Sequence, residues 1–206
     1  MVVDNLYKSL TISASLPRSK RLRVATNVTH DRLDKAIMGH EPFSSRDRYA
    51  RFVKVQHAFH RDIDALYDDV ALDALLPDLK GRRRFDQIER DLADLGAETL
   101  AFDAAPAFAR GASADVPTAL GWLYVAEGSN MGAAFLLKWA KEKLGLSEEF
   151  GARHLAGAPE GRGLHWRTFT AALDTVSLSE ADEARVIAGA KAAFRRMHGL
   201  VREVFR

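Results

Sequence analysis

Seven histidines, His30, His40, His57, His60, His154, His165 and His198, carry most of the reactive nitrogen in this chain, and there is no cysteine. The lack of thiols removes thiolate metal ligands, disulfides and iron–sulfur sites from consideration. A carboxylate-bridged di-iron bundle needs Glu-x-x-His pairs on two helices, and no Glu or Asp stands three residues before a histidine in that pattern. There is no Gly-x-Gly-x-x-Gly after a strand, no phosphate loop and no Gly-x-Ser-x-Gly elbow, so no nucleotide or nicotinamide site is visible. The chemistry must come from histidines and their neighbours. Helical spacing puts His30 on the same face as Thr26, Leu33 and Ile37, pointing inward, with Arg23 two turns earlier on nearly that face. Gln56 and His60 likewise share one face.

The second candidate is a helical face with almost no side chains. Residues 121–140 read GWLYVAEGSNMGAAFLLKWA, the longest weakly charged run in the sequence. At the helical repeat, Gly128 and Gly132 fall within about 20° of Gly121, with Ser129 beside them. Each interior glycine costs roughly 1 kcal/mol relative to alanine, so something must approach this backbone closely. Three readings compete. Helix-on-helix packing through small residues is one. A membrane dimer through Gly-x-x-x-Gly is disfavoured by Glu127 and Lys138 within the run. A flat ligand lying against the glycines, on a helix bent where glycine and serine loosen it, is the third.

An inward histidine, a cation two turns away and a bare helical face suit a haem: imidazole on one side of the iron, glycine wall on the other, room for a small gas between. Arg23 would then meet a propionate through a charge-assisted hydrogen bond.

The elements that must position these groups are all helical. Residues 22–38 and 46–67 read as two long helices, with Ser44 or Ser45 capping the second. A short helix ends at Pro77, and a third, opening at GRRRFDQ, closes at Gly96. A connection without hydrophobic period leads to Pro117, near the start of the central helix. Residues 162–174 form another helix, with Trp166, Phe169 and Leu173 inside. Ser177 with Glu180, or Ser179 with Asp182, forms a capping box before a last helix reaching about Phe205. No alternating strand pattern and no internal repeat is present. The expectation is an all-α, single-domain bundle over residues 21–206, preceded by a flexible arm over residues 1–20. The 206 residues, 47% apolar and 28% charged, suit one domain with a sizeable core. The net charge of +2 gives no nucleic-acid footprint, although basic clusters stand at residues 18–23 and 82–84. Nothing resembles a signal peptide, and a monomeric, cytoplasmic protein without a membrane partner is expected.

These residues are similar to the bacterial haem oxygenases of the haem-iron acquisition type. The resemblance runs from about Leu22 to the C-terminus through THDRLD around His30, EPF at residues 41–43, the Gln56 to His60 segment, GWLYVAEGSNMGAAFL, and FGARHLA with GRGLHWR. It implies a haem-oxygenase-like fold with haem b, both cofactor and substrate, between a proximal helix bearing the iron ligand His30 and a distal helix around Gly128, Ser129 and Gly132. It implies oxidative opening of the ring by O2 and external electrons to biliverdin, carbon monoxide and ferrous iron. Gln56, His60, Arg84, His154 and Trp166 become the distal polar network that carries protons, and Glu127 receives no role. A haem carrier or sensor using the same pocket without turnover is the alternative, and a helical bundle for a non-haem ligand a third.

Within that family the propionate anchors set which meso carbon is cut. Arg23 and Tyr124 match the anchors of α-cutting members, and Met38 and Trp139 stand where members cutting elsewhere carry lysines, so the α isomer is expected. A separate electron donor, a ferredoxin or a flavoprotein reductase, is implied. The basic stretches at Arg21, Arg23 and Arg82 to Arg84 either attract an acidic partner or form a solvated rim.

Overall fold

Residues 16–101 and 104–206 are described by the computed structural model, and among them seven α-helices and no extended strand are found. They are α1 (Arg18–Gly39), α2 (Arg46–Ile63), the single turn α3 (Val70–Asp73), α4 (Phe85–Asp94), α5 (Val116–Leu144), α6 (Arg162–Thr175) and α7 (Glu180–Val204). Short 3-10 turns at Asp64–Asp68, Lys80–Arg82 and Arg153–Leu155 fill the corners.

Local chemistry sets the boundaries. Ser45 accepts from the Arg48 amide to start α2, and Asp115 accepts from the Thr118 amide ahead of Pro117 to start α5. Each satisfies a donor that the first helical turn leaves unpaired. Gly145 closes α5 in the left-handed conformation, φ 64°, which a residue without Cβ adopts at little cost. Of the two capping boxes, Ser179 with Asp182 forms. Two helices are shorter than their periodicity: the second turns 3-10 after Ile63, and the segment before Pro77 is helical only over Val70–Asp73. The first helix starts at Arg18, and residues 1–15 of the expected arm lie outside the described residues.

The spine is the crossing of α5 and α7, with α1 laid on α7 and α6 on α5. Gly121 and Gly189 make that crossing close. A Cβ on Gly121 would run into the backbone of Val186 and Ala190, and one on Gly189 into that of Thr118. The start of α1 is tied down by Arg18, whose guanidinium donates to the carbonyls of Leu173 and Val176 and pairs with Glu183 at 2.7 Å. Asp174 accepts from the amide and hydroxyl of Ser19 at 2.7 and 2.8 Å.

Two apolar cores share the 29-residue α5. Ala119 to Ala126 belong to one, with Leu22, Phe59, Leu66, Phe169 and Phe194. Ala133, Leu137 and Ala140 belong to the other, with Phe43, Tyr49, Phe52 and Leu92. The Gly128–Gly132 segment lies between them, and here Ser129, Met131 and Gly132 are exposed. The bundle is thus filled on either side of a stretch where one face of α5 stays uncovered.

Candidate active site

His30 stands at the rim rather than in the core. Thr26 and Leu33 take the buried face of α1, and 55% of the His30 side chain is exposed. The inward direction read from spacing is corrected, because the buried face of α1 runs through Leu22, Thr26 and Leu33. The ring lies edge-on to Phe194, centroids 5.9 Å apart. Its Nδ1 faces Asp34 Oδ2 at 3.1 Å, and the hydrogen bond to Asp34 raises its pKa. With Nδ1 engaged by a carboxylate, Nε2 is the nitrogen left for a ligand, the arrangement found behind metal-bound histidines.

The glycine stripe divides. Gly121 belongs to the α5–α7 crossing, so for it the helix-packing reading holds. Gly128 and Gly132 do not: a Cβ on Gly128 would meet only the Trp166 ring at 3.5 Å, and one on Gly132 would meet nothing within 4 Å. Ser129 turns its hydroxyl back to the Ala126 carbonyl at 2.7 Å, satisfying it within the helix. Phe135, 68% exposed, and Met131 stand on the same uncovered stretch. At its other end Trp166 tilts over Tyr124, centroids 5.5 Å apart, and stacks on Phe169. Arg23 is close enough to act electrostatically on the Tyr124 phenol, whose pKa burial raises.

Beside this wall lies a buried polar cluster drawn from three separate elements. His60 comes from α2, Arg84 from the start of α4, and His154 from the 3-10 turn before α6. Desolvation, then the charges of Arg84, His154 and His57, push the His60 pKa down to about 3, so its imidazole is neutral. Arg84 donates through Nη1 to the carbonyls of His154 and Ala156 at 2.7 and 3.1 Å. Three ring or guanidinium atoms here, His60 Nδ1, His154 Nε2 and Arg84 Nε, are buried without a protein partner, as is Asn130 Nδ2 on α5. Orphaned buried polar atoms gathered together are the ordinary signature of an ordered-water site. Gln56, half-buried, stands one turn before His60 on α2. Trp166 touches the glycine wall rather than this cluster.

Several residues at the site were not legible as such. Asp91 on α4 is fully buried and bonded to His154; its only signal was an acid among Ile88 and Leu92 on an apolar helical face. Glu127 pairs with Arg82 at 3.2 Å, each side chain 2% exposed, and accepts from the Tyr67 hydroxyl at 3.2 Å. His165 Nε2 stands 3.6 Å from Glu127, and its Nδ1 faces Glu160 at 2.7 Å. Arg162 donates to the Asn130 carbonyl at 2.9 Å and to that of Leu155, joining the distal helix to the His154 turn.

The basic run at 82–84 is corrected as a surface patch. Arg82 is buried on Glu127, Arg83 is paired with Asp64 and Asp86, and Arg84 is spent on carbonyls. In the other cluster Arg18 is buried and Arg21 is paired with Glu183 at 2.9 Å. Lys20 and Arg23 remain exposed.

Known proteins share this sequence and fold. The family described as Heme oxygenase matches residues 16–203. Heme oxygenase PigA of Pseudomonas aeruginosa is 45% identical over 188 residues, covering 91% of this chain and 93% of that protein. The NO- and CO-bound heme oxygenase from Neisseria meningitidis superposes with a TM-score of 0.85 at 43% identity, covering 93% of each chain. The heme oxygenase-1 of the cyanobacterium Synechocystis shares the fold, TM-score 0.69 at 14% identity. This chain, all-helical over its described residues, is therefore a member of the haem oxygenase family, a haem-degrading oxidoreductase that takes haem and O2.

Proposed function

We propose that His30 would ligate the haem iron, that Gly128, Ser129 and Gly132 form the facing wall with Trp166 at its end, and that His60, Arg84 and His154, with Gln56, hold the water that delivers protons. The residues fit the group. The observation that carries the reading is the pairing of an imidazole with its Nδ1 on Asp34 and a wall where even a Cβ at Gly132 would touch nothing. Bound haem supplies a redox iron and is itself the substrate, opened with O2 and external electrons to biliverdin, carbon monoxide and ferrous iron.

The chain's own groups act around that. His30 Nε2 would be the atom that holds the iron, the ring being oriented by Asp34. The exposed stretch of the glycine wall, Ser129, Met131 and Gly132, would offer a bound ligand no carboxylate or thiolate. His60, neutral, and Arg84 Nε present hydrogen-bonding atoms to ordered water. Trp166 and Phe135 close the apolar ends of the wall.

We infer the α isomer of biliverdin. Arg23 and Tyr124 sit together at one edge, supporting a propionate anchor there, whereas Met38 offers a thioether and Trp139 is packed on Phe43 at 5.6 Å. Chromatography of the product is expected to give mainly the α isomer, and mainly β or δ would overturn the anchoring. The donor is a separate ferredoxin or flavoprotein, and the protein acts as a cytoplasmic monomer, a compartment its cysteine-free composition suits. The deciding experiment is to add hemin and then a reductant in air. A Soret band followed by conversion to biliverdin is expected; a Soret band without conversion would leave a carrier or sensor, and no band would end the haem reading.

A further inference from the structure

Asp91 carries no assigned role, yet its carboxylate has more partners than any other buried acid near the site. Its side chain is fully buried on the inner face of α4. Oδ1 accepts from the Arg153 amide at 2.9 Å and from Arg153 Nη1 at 3.2 Å. Oδ2 accepts from the His154 amide at 3.0 Å and lies 2.7 Å from His154 Nδ1. Burial alone would raise the Asp91 pKa, but the bonds from His154 and Arg153 hold it below its ordinary value, so it is ionised. An ionised carboxylate only accepts, so the proton of a neutral His154 must sit on Nδ1. Nε2 is then the acceptor, and it is the atom buried without a protein partner in the cluster with His60 and Arg84.

We propose that Asp91 is a positioning residue for catalysis, fixing His154 as the Nδ1–H tautomer so that its Nε2 lone pair sets the direction of the distal proton chain. The proposal rests on the haem-degrading reading of this pocket. Its physical content is one of polarity. A water at Nε2 must donate to it; the same water can accept from Arg84 Nε–H, which leaves its second O–H for the ligand side. With the other tautomer, Nε2–H donates, both lone pairs of that water are taken by Nε2–H and Arg84 Nε–H, and none is left to accept a proton from the next water. The backbone contacts of Asp91 hold the turn at Arg153–Leu155 at the same time, so ring position and ring polarity are set by one carboxylate.

The primary test is nitrogen-15 NMR of the histidine rings in the haem-free wild-type protein, which needs no variant. The expected result is a protonated Nδ1 and an acceptor-type Nε2 for His154; a protonated Nε2 with a bare Nδ1 would overturn the proposal. Asp91→Asn is isosteric, but its amide can donate to Nδ1 and invert the tautomer. In that variant Nε2 of His154 is expected to become protonated, and biliverdin formation to fall about 10- to 100-fold, the usual effect of losing a carboxylate behind a functional histidine. Hemin affinity, read by Soret titration, should stay unchanged. Asp91→Asn in a His154→Ala background should cost much less in turnover than in the wild-type background, since its effect on the reaction passes through that ring. Undiminished turnover with the tautomer inverted, or an additive loss in the double variant, would refute the proposal. A wild-type protein that binds no hemin would instead remove the haem reading while leaving the tautomer measurement to stand.

Discussion

At the scale of single residues, His60 shows how burial selects function. A pKa of about 3 in the folded protein against an ordinary 6.5 means that between those values the unfolded chain binds the extra proton. The His60 contribution to stability is therefore complete above pH 6.5 and is lost as pH falls from there towards 3, at about 1.4 kcal/mol per pH unit. His57, whose pKa burial also lowers, acts in the same direction. His165, raised by its bond to Glu127, acts in the opposite one, its stabilisation being lost as pH rises. Comparison with His60→Gln isolates the first effect: denaturant unfolding from pH 6.5 down to 4.5 should give the variant the flatter profile, and parallel profiles would show that His60 is not buried neutral. At the other side of the pocket, His30→Ala should leave the fold intact, because that side chain is mostly in solvent. Hemin titration should then show the histidine-ligated spectrum lost and restored in part by added imidazole.

At the scale of elements, the glycines of α5 have different physical reasons and predict different outcomes. Gly121→Ala places a Cβ on the backbone of α7, and overpacking of this kind costs about 1–3 kcal/mol, readable as a lower melting temperature. Gly132→Ala meets nothing and should gain up to about 1 kcal/mol from helix propensity. Gly132→Leu should fold equally well yet crowd the wall, lowering turnover in the hemin assay with little change in melting. Equal destabilisation at both positions would mean that the stripe is one packing surface. The Glu127–Arg82 pair belongs to this scale too, since it joins α5 to the turn before α4. Glu127→Ala leaves a buried guanidinium uncompensated, for which about 3–5 kcal/mol is expected. A chemical denaturation midpoint unchanged in that variant would contradict the burial.

At the scale of the whole molecule, charge is arranged more narrowly than the sequence implies. The arginines at 82–84 face inward or are paired, whereas on α1 Lys20, Arg23, Arg32 and Lys35 are exposed. An acidic electron donor would meet that helix. Screening shortens from about 10 Å at 0.1 M salt to about 3 Å at 1 M, so reduction of the haem-loaded protein by an acidic ferredoxin should slow over that range, while reduction by a small neutral reductant should not. A salt-independent rate with both would rule out electrostatic docking on α1.

What the sequence by itself determined is what is encoded within one or two helical turns. The helical periods, the caps at Ser45 and Ser179, the start near Pro117, and the facts that His30 and the Gly128–Gly132 segment were unusual could all be read there, because each depends on neighbours a few positions away. What only the tertiary structure decided depends on which helices meet. Gly121 left the stripe because α7 crosses at that level, and Arg82 turned inward to a carboxylate 45 positions away. Asp91 found His154 across 63 positions. Contacts over such separations are fixed by which elements pack together, α5 on α7 for Gly121 and α4 on the Arg153–Leu155 turn for Asp91, and no local pattern of charge or spacing carries them.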